Sequence, residues 1–421
     1  MTRHVAVIGA GIEGAASAIE LLRAGHRVTI LEPGTPGGEQ AASFGNAGWL
    51  SSHSVLPPSA PGLWRKVPGF LADPLGPLAV RWGYFPRVLP WLLRYLAAGS
   101  TEEKLLRIAR SLRPLLKDSA VLHTALAGEA GVPELIEHRG LMNAWHSRAG
   151  FEAEAMGWRI RRQVGIAWRE IEGEALREIE PDLDPAYGFA VLVEEAGRCL
   201  SPGRYIAALV AHAQAQGAAL RKVAATGLRL EGRALKGVAL SDGTVLDCDA
   251  AVIACGIRSA PLAAQAGDGV PMQTERGYHV MLRGANAGPR HSIGLGAAKM
   301  VVNPMADGLR AAGQVEIAAL DAPPNWKRAE ILRDHLLKSF PGLPDPFPAD
   351  RVSMWLGNRP STPDGMPVLS PSSRCPEVIH AFGHGHVGLV AGPRTGRIVS
   401  QLLSGRPPEI DIAPFSPTRF R

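Results

Sequence analysis

The stretch Val5-Ala6-Val7-Ile8-Gly9-Ala10-Gly11-Ile12-Glu13-Gly14, continued to Val28-Thr29-Ile30-Leu31-Glu32, decides how this chain is read. Val5 to Ile8 is a short apolar run, as expected of a strand covered on both faces. A helical stretch follows from Ile12 to Ala24, and Val28 to Leu31 is a second apolar run. Strand, G-x-G-x-x-G turn, helix and strand make a dinucleotide-binding unit. In it Gly9 permits the tight turn, Gly11 lets the backbone approach a pyrophosphate, and Gly14 allows close helix–strand packing. The helix start, from Ile12, offers free N–H groups and a positive dipole end to phosphate. Glu32 is placed to accept from ribose hydroxyls, and an acid there disfavours a 2′-phosphate. This stretch alone leaves FAD and NAD open.

Working outward, residues 33–52 are rich in Gly, Ser and Ala and lack periodicity, so they read as a loop. The run Ala42-Ser43-Phe44-Gly45-Asn46-Ala47-Gly48 directly follows the nucleotide unit. Small residues let it lie flat against a planar ligand, which makes Ser43, Asn46, Ala47 and Gly48 candidate cofactor contacts. Residues 75–98 are the most hydrophobic stretch, but they hold three prolines and three arginines. They fall short of the about 20 uninterrupted apolar residues of a spanning helix. They read as core or lid, with an aromatic, basic surface resting on a membrane as the alternative. Residues 102–128 have helical periodicity interrupted by Pro114.

A further helix begins at Ser201-Pro202, an N-cap followed by proline at the first helical position. Short strands joined by glycine turns, among them Asp242-Gly243, then lead to the buried run 250–254 and Cys255-Gly256. A buried strand ending in Gly is where a doubly wound sheet meets its ligand. The chain has thus returned to the nucleotide domain, and the preceding segment is an insertion. Segments 274–282, 300–305 and 309–317 read as strands of a second insertion, with a helix over 326–339. Residues 357–368 read as a loop carrying a single arginine, Arg359. Val378 to Phe382 is a strand, followed by Gly383-His384-Gly385-His386-Val387-Gly388-Leu389 and a helix from near Gly392 to Leu403. The expected domains are 1–55, 196–269 and 351–421 for the cofactor and 56–195 and 270–350 for the substrate.

At 421 residues the chain is long enough for two cores, and 46% hydrophobic with 20% charged residues is ordinary for a globular protein. A net charge of +6 is scattered, and no nucleic-acid-binding pattern is present. The four cysteines, Cys199, Cys248, Cys255 and Cys375, form no C-x-x-C pair and no zinc spacing. They suit a reducing compartment, and the first strand begins too early for a signal peptide, so a cytoplasmic protein is expected.

Four blocks in order carry a resemblance over nearly the whole chain: GAGIEG with Glu32, ASFGNAG, AVIACGIRSAPLA (251–263), and GNRPSTPDGMPV with FGHGHVGL. They resemble the D-amino acid oxidase superfamily of FAD enzymes, and within it most closely bacterial D-amino acid dehydrogenases of the small-subunit type. The resemblance implies an α/β fold, in which a Rossmann-like FAD domain of the GR2 type interleaves with an α+β substrate domain on a large mixed, antiparallel sheet. It implies oxidation of a D-amino acid by hydride transfer from the α-carbon to flavin N5, with the imino acid hydrolysing to a 2-oxo acid and ammonia. Arg359 matches the family's carboxylate clamp, where a guanidinium holds a carboxylate bidentately. Tyr278, in RGYHV, is a candidate phenol donor to the same carboxylate. His279 should then face the other side of the strand. His53 is a third candidate at the substrate.

Gly385, His386, Val387, Gly388 and Leu389 are expected at the cofactor, the Gly388 and Leu389 amides facing the flavin C2=O and N1. Val223, Cys255 and Gly256 belong with the same set, and Arg394 and His384 are further candidates. Some superfamily members attach FAD through a C-terminal cysteine, but Cys375 stands outside that motif, so the expectation is non-covalent FAD. The implied partners are an amino acid or amine substrate and an electron acceptor such as a quinone or carrier, with peripheral membrane contact as an option. Two other readings stay open: oxidation of secondary or cyclic amines such as sarcosine, glycine or D-proline, and a non-catalytic flavin-binding sensor or subunit.

Overall fold

In the computed structural model, which describes residues 2–66, 69 and 78–421, the strand His4–Ile8 is buried on both faces. It lies inside a six-stranded sheet ordered Ala219–Arg221, Arg27–Leu31, His4–Ile8, Ala250–Ile253, Val378–Phe382 and Val368–Pro371. The first five run parallel and the last pairs antiparallel. Parallel strands covered by helices bury both faces, which is why these segments are apolar runs and not alternating ones. Their C-terminal ends deliver Gly9, Glu32 and Cys255 to one edge of the sheet, the place where such sheets bind ligands.

Two helices meet at that edge. Ile12–Arg23 packs against Gly388–Leu403 so closely that only bare backbone fits. A Cβ on Gly396 would lie 2.6 Å from the Ala16 carbonyl carbon, and one on Gly392 would lie 2.4 Å from Ile12 Cγ1. The close packing brings both helix starts to one site. The second helix begins at Gly388, four residues earlier than the sequence suggests. Its cap residue, Val387, makes no side-chain hydrogen bond, so no polar cap marks the start.

The second sheet has nine strands among the described residues. Its main order is Val352–Ser361, Gln273–Arg283, Gly308–Ile317, Met300–Met305, Ser292–Leu295, Leu141–Trp145, Phe189–Val193 and Arg169–Glu172. Leu78–Val80 adds to Gly308–Ile317. The sheet is mixed, mostly antiparallel. The helix Lys327–Ser339 covers one face, where Leu332, Leu336 and Phe340 share a core with Tyr278, Val280 and Leu282. The other face turns towards the first sheet.

One segment differs from the sequence reading in a way that matters. Residues 357–368 read as a loop, and Gly357 and Pro360 are residues that locally disfavour a strand. Val352–Ser361 is instead the edge strand beside Gln273–Arg283. A proline is tolerated there because an edge strand leaves one row of backbone groups unpaired. Gly357 is required because a Cβ would lie 1.9 Å from the Trp355 ring. The expected domain boundary at 351 therefore falls ahead of a strand of the large sheet. Of the apolar stretch 75–98, residues 75–77 lie outside the described residues, and Phe85–Ala98 is a helix. No helix among the described residues is long and apolar enough to cross a membrane.

Candidate active site

A cavity of about 860 Å³ lies where the two sheets face each other. Its first wall is the nucleotide turn. Gly9 has φ +105°, and a Cβ on it would lie 2.6 Å from the Ala254 carbonyl oxygen. A Cβ on Gly14 would lie 1.9 Å from the Gly9 carbonyl oxygen, so Gly14 packs the helix onto the turn without lining the cavity. Gly9, Gly11 and Ile12 do line it. Glu32, also on the wall, is fixed at the end of its strand by the Ala10 and Gly34 N–H groups, each donating at 3.0 Å.

The second wall is the turn before the last helix. His384, Gly385, His386, Gly388 and Leu389 line the cavity. His384 is buried, with Nε2 3.2 Å from Thr395 Oγ1 and Nδ1 3.4 Å from Glu13 Oε1. Burial pushes His384 down to about 3 and Glu13 up to about 7, so near neutral pH His384 is neutral and Glu13 only partly ionised. Burial thus weakens the negative charge that Glu13 places at the start of the first helix, where an anionic or electron-rich group would be met.

The third wall is the large sheet, and strand parity decides what it presents. Glu275, Gly277 and His279 stand opposite Arg359, Gly357 and Trp355 in register, so these six share a face. That face looks into the cavity. The Arg359 guanidinium lies over Gly277, where a Cβ would meet Nη1 at 2.0 Å. Arg359 Nη1 is sealed from solvent and has no hydrogen-bond partner. Burial pulls the Arg359 pKa down, opposed by the charge of Glu275. Trp355 Nε1 donates to the Glu39 carbonyl at 3.1 Å, His279 Nδ1 to that of Gly45 at 3.0 Å, and Arg310 Nη1 to that of Asn46 at 2.6 Å. The loop carrying Ser43, Asn46 and Ala47, all on the cavity, is thus pinned to the sheet.

Several expected residues lie elsewhere. Tyr278 is on the opposite face of its strand, where its hydroxyl donates to Glu316 Oε2 at 2.7 Å and accepts from the Asn325 N–H at 2.9 Å. Burial first, then Glu316, pushes its phenol up. Glu316 also meets Arg276 and Arg81, so Tyr278 belongs to a buried ionic cluster behind the sheet. His53 is likewise removed from the cavity. Its ring stacks on Trp158, Ser51 Oγ lies 3.2 Å from Nδ1, and burial with nearby Arg161 pushes it down to about 3. Val223 sits in an apolar core while its neighbours Ala224 and Ala225 reach the cavity. Gly48 turns the chain with φ +78°, where a Cβ would lie 2.3 Å from the Cys199 carbonyl oxygen. Val387 is buried ahead of the helix. Cys255 and Gly256 do line the cavity.

Sequence reasoning missed Glu275, Gly277, Trp355, Trp49, Asn143 and Trp145. For the first three the signal was the alternation of strand 273–283 against 352–361, hidden while 357–368 read as a loop. Trp49 Nε1, Asn143 Nδ2 and Trp145 Nε1, like Arg359 Nη1, are buried donors on the cavity without partners. Buried donors are seldom left unpaired, so the cavity suits a ligand rich in acceptors. A flavin dinucleotide, with its phosphates, ribose hydroxyls and ring carbonyls, is such a ligand.

Comparison with known proteins agrees with that geometry. The FAD dependent oxidoreductase (DAO) family matches residues 4–402, and the chain belongs to this family. It is an FAD-dependent oxidoreductase. It is 59% identical over 418 residues to a D-amino-acid oxidase of Bradyrhizobium diazoefficiens, covering 99% of each chain. It is 32% identical to a D-amino acid dehydrogenase of Paramagnetospirillum magneticum, covering 99% of this chain and 98% of that one. Among solved structures, glycine oxidase from Geobacillus kaustophilus aligns with a TM-score of 0.75 at 23% identity, over 99% of each chain.

Proposed function

We propose that this protein oxidises the α-carbon of D-amino acids, giving an imino acid that hydrolyses to a 2-oxo acid and ammonia. The observation that carries the reading is Arg359, a buried guanidinium with an unpartnered Nη1 on the cavity wall. A substrate carboxylate would satisfy it through a bidentate, charge-assisted pair. Gly277 gives the guanidinium room to lie flat. Gly9, Gly11 and Ile12 take the pyrophosphate, Glu32 the ribose, and the Gly388 and Leu389 amides the pyrimidine edge of the flavin. Bound FAD supplies the two-electron acceptor. It is held without a covalent link: Cys375 is buried away from the cavity, and burial pushes the Cys255 thiol up to about 11. Both the D-configuration and dioxygen as final acceptor are supported by the 59% identity to a D-amino-acid oxidase.

Transfer to a membrane-bound acceptor is a second reading, favoured by one observation. The helix Phe85–Ala98 buries Val88, Trp91 and Tyr95 but exposes Leu89 and Leu93 beside Arg87 and Arg94. An apolar, basic face of this kind suits an anionic lipid surface. Cytoplasmic placement fits either reading. The test is anaerobic bleaching of the flavin's visible band against D- and L-amino acids, sarcosine and D-proline, repeated with oxygen-uptake measurement. Bleaching by D-amino acids with oxygen uptake is expected. Bleaching confined to N-methyl or cyclic amines would overturn the substrate class. Bleaching without oxygen uptake would favour the membrane acceptor.

A further inference from the structure

Glu275 is a buried carboxylate beside the guanidinium that should receive a carboxylate, and countering the Arg359 charge does not account for its other contact. It is 3% exposed and stands in register with Arg359. Its Oε2 accepts from His386 Nε2 at 2.7 Å. A carboxylate that takes the Nε2 proton leaves Nδ1 as the acceptor of a neutral imidazole. His386 Nδ1 has no hydrogen-bond partner among the described residues, and the ring lines the cavity with Arg359 and Pro360. The contrast with His384, two residues earlier, is informative. That side chain is 2% exposed and engaged at both nitrogens, whereas His386 is 39% exposed and held at one.

We propose that His386 is the proton acceptor for the substrate ammonium, with Glu275 as its positioning residue. The proposal rests on the amino-acid reading of the site. Arg359 and His386 line the same cavity, so in this proposal the ammonium of a substrate held at Arg359 turns towards His386. One ammonium N–H bond breaks, the proton passes to His386 Nδ1, and the nitrogen keeps the electron pair. That pair is what the C=N bond of the product requires, since an ammonium has none to give. The resulting imidazolium is balanced by the Glu275 carboxylate and returns its proton to water.

The surroundings support this division of labour. Burial pushes the Glu275 carboxyl up, but His386 and then Arg359 outweigh it and hold it below the usual range. From helix 85–98, Tyr95 faces Glu275 as a neutral phenol, pushed up by burial and by that carboxylate. From its own turn, His384 stays neutral, paired with Glu13 of helix 12–23. The helix start at Gly388, two residues on, disfavours a lasting positive charge at this turn.

The test is anaerobic reduction of the FAD-loaded protein by a D-amino acid, from about pH 5 to about pH 10. In the native protein the acid limb should follow the imidazole. His386→Gln should lower the reduction rate near neutrality by about 100-fold. It should also move the acid limb up to the free substrate's own ammonium, with the rate recovering above it and substrate affinity little changed. Glu275→Gln should displace the limb in part, and Glu275→Asp should restore it. Where His386→Gln does not hold FAD, the Glu275→Gln and Glu275→Asp pair decides the same question. A variant that keeps FAD together with the native rate and limb would overturn the assignment of the dyad alone. Failure of the native protein to be reduced by any D-amino acid would instead overturn the amino-acid reading itself.

Discussion

Gly9, Gly11 and the Gly388-Leu389 turn present backbone to the cavity, whereas Arg359 and Trp355 present side chains from the edge strand, with Glu275 buried in register with Arg359 on the neighbouring strand. The backbone wall needs residues that are absent: no Cβ at Gly9, none at Gly14, none between the two helices at Gly392 and Gly396. The side-chain wall needs parity. One residue of slip on strand 273–283 would replace Glu275, Gly277 and His279 with Thr274, Arg276 and Tyr278. The first wall is therefore intolerant of added atoms, and the second of removed charges and shifted register.

The largest expected effect tests the backbone wall. Gly9→Ala places a Cβ 2.6 Å from the Ala254 carbonyl oxygen at φ +105°. The purified protein should lose most of its FAD, read as the ratio of flavin to protein absorbance. A fully yellow variant would break the comparison. On the side-chain wall, Arg359→Ala should leave FAD bound but raise the substrate KM by about 100-fold to 1000-fold, the loss of a paired, charge-assisted contact. An unchanged KM would remove Arg359 from the site. Gly277→Ala sharpens the contrast, because here an added atom acts through a side chain. Its Cβ would lie 2.0 Å from Arg359 Nη1 and displace the guanidinium. KM should rise about tenfold, a cost of about 1.4 kcal/mol, with FAD retained.

The smallest expected effect on catalysis comes from the far face of the same strand. Tyr278→Phe should change KM by less than about twofold while lowering stability by about 1–2 kcal/mol, because Glu316 and the Asn325 N–H each lose a partner. Kinetics and thermal unfolding of one preparation separate the two outcomes. A large KM effect would return Tyr278 to the substrate.

The sequence by itself determined the nucleotide unit. Its strand, glycines, helix and terminal acid are contiguous, and each acts through local backbone geometry. It also determined the interleaving, since buried runs ending in glycine recur at 250–256 and 378–385. The arginine was legible as a residue but not as a strand residue, because Gly357 and Pro360 speak locally against a strand that the edge of a sheet accepts. The partner of each side chain was decided only by tertiary structure. Glu275 meets His386 across 111 positions of sequence, and Arg359 lies over a glycine 82 residues before it. Which face of a strand looks into a cavity depends on what covers the other face. Here the helix Lys327–Ser339 claims the Tyr278 side and leaves the Glu275 side open. Contacts so distant in sequence leave no periodicity to read, so only the folded chain brings Glu275 to His386, and Arg359, His386 and the two helix starts to one cavity.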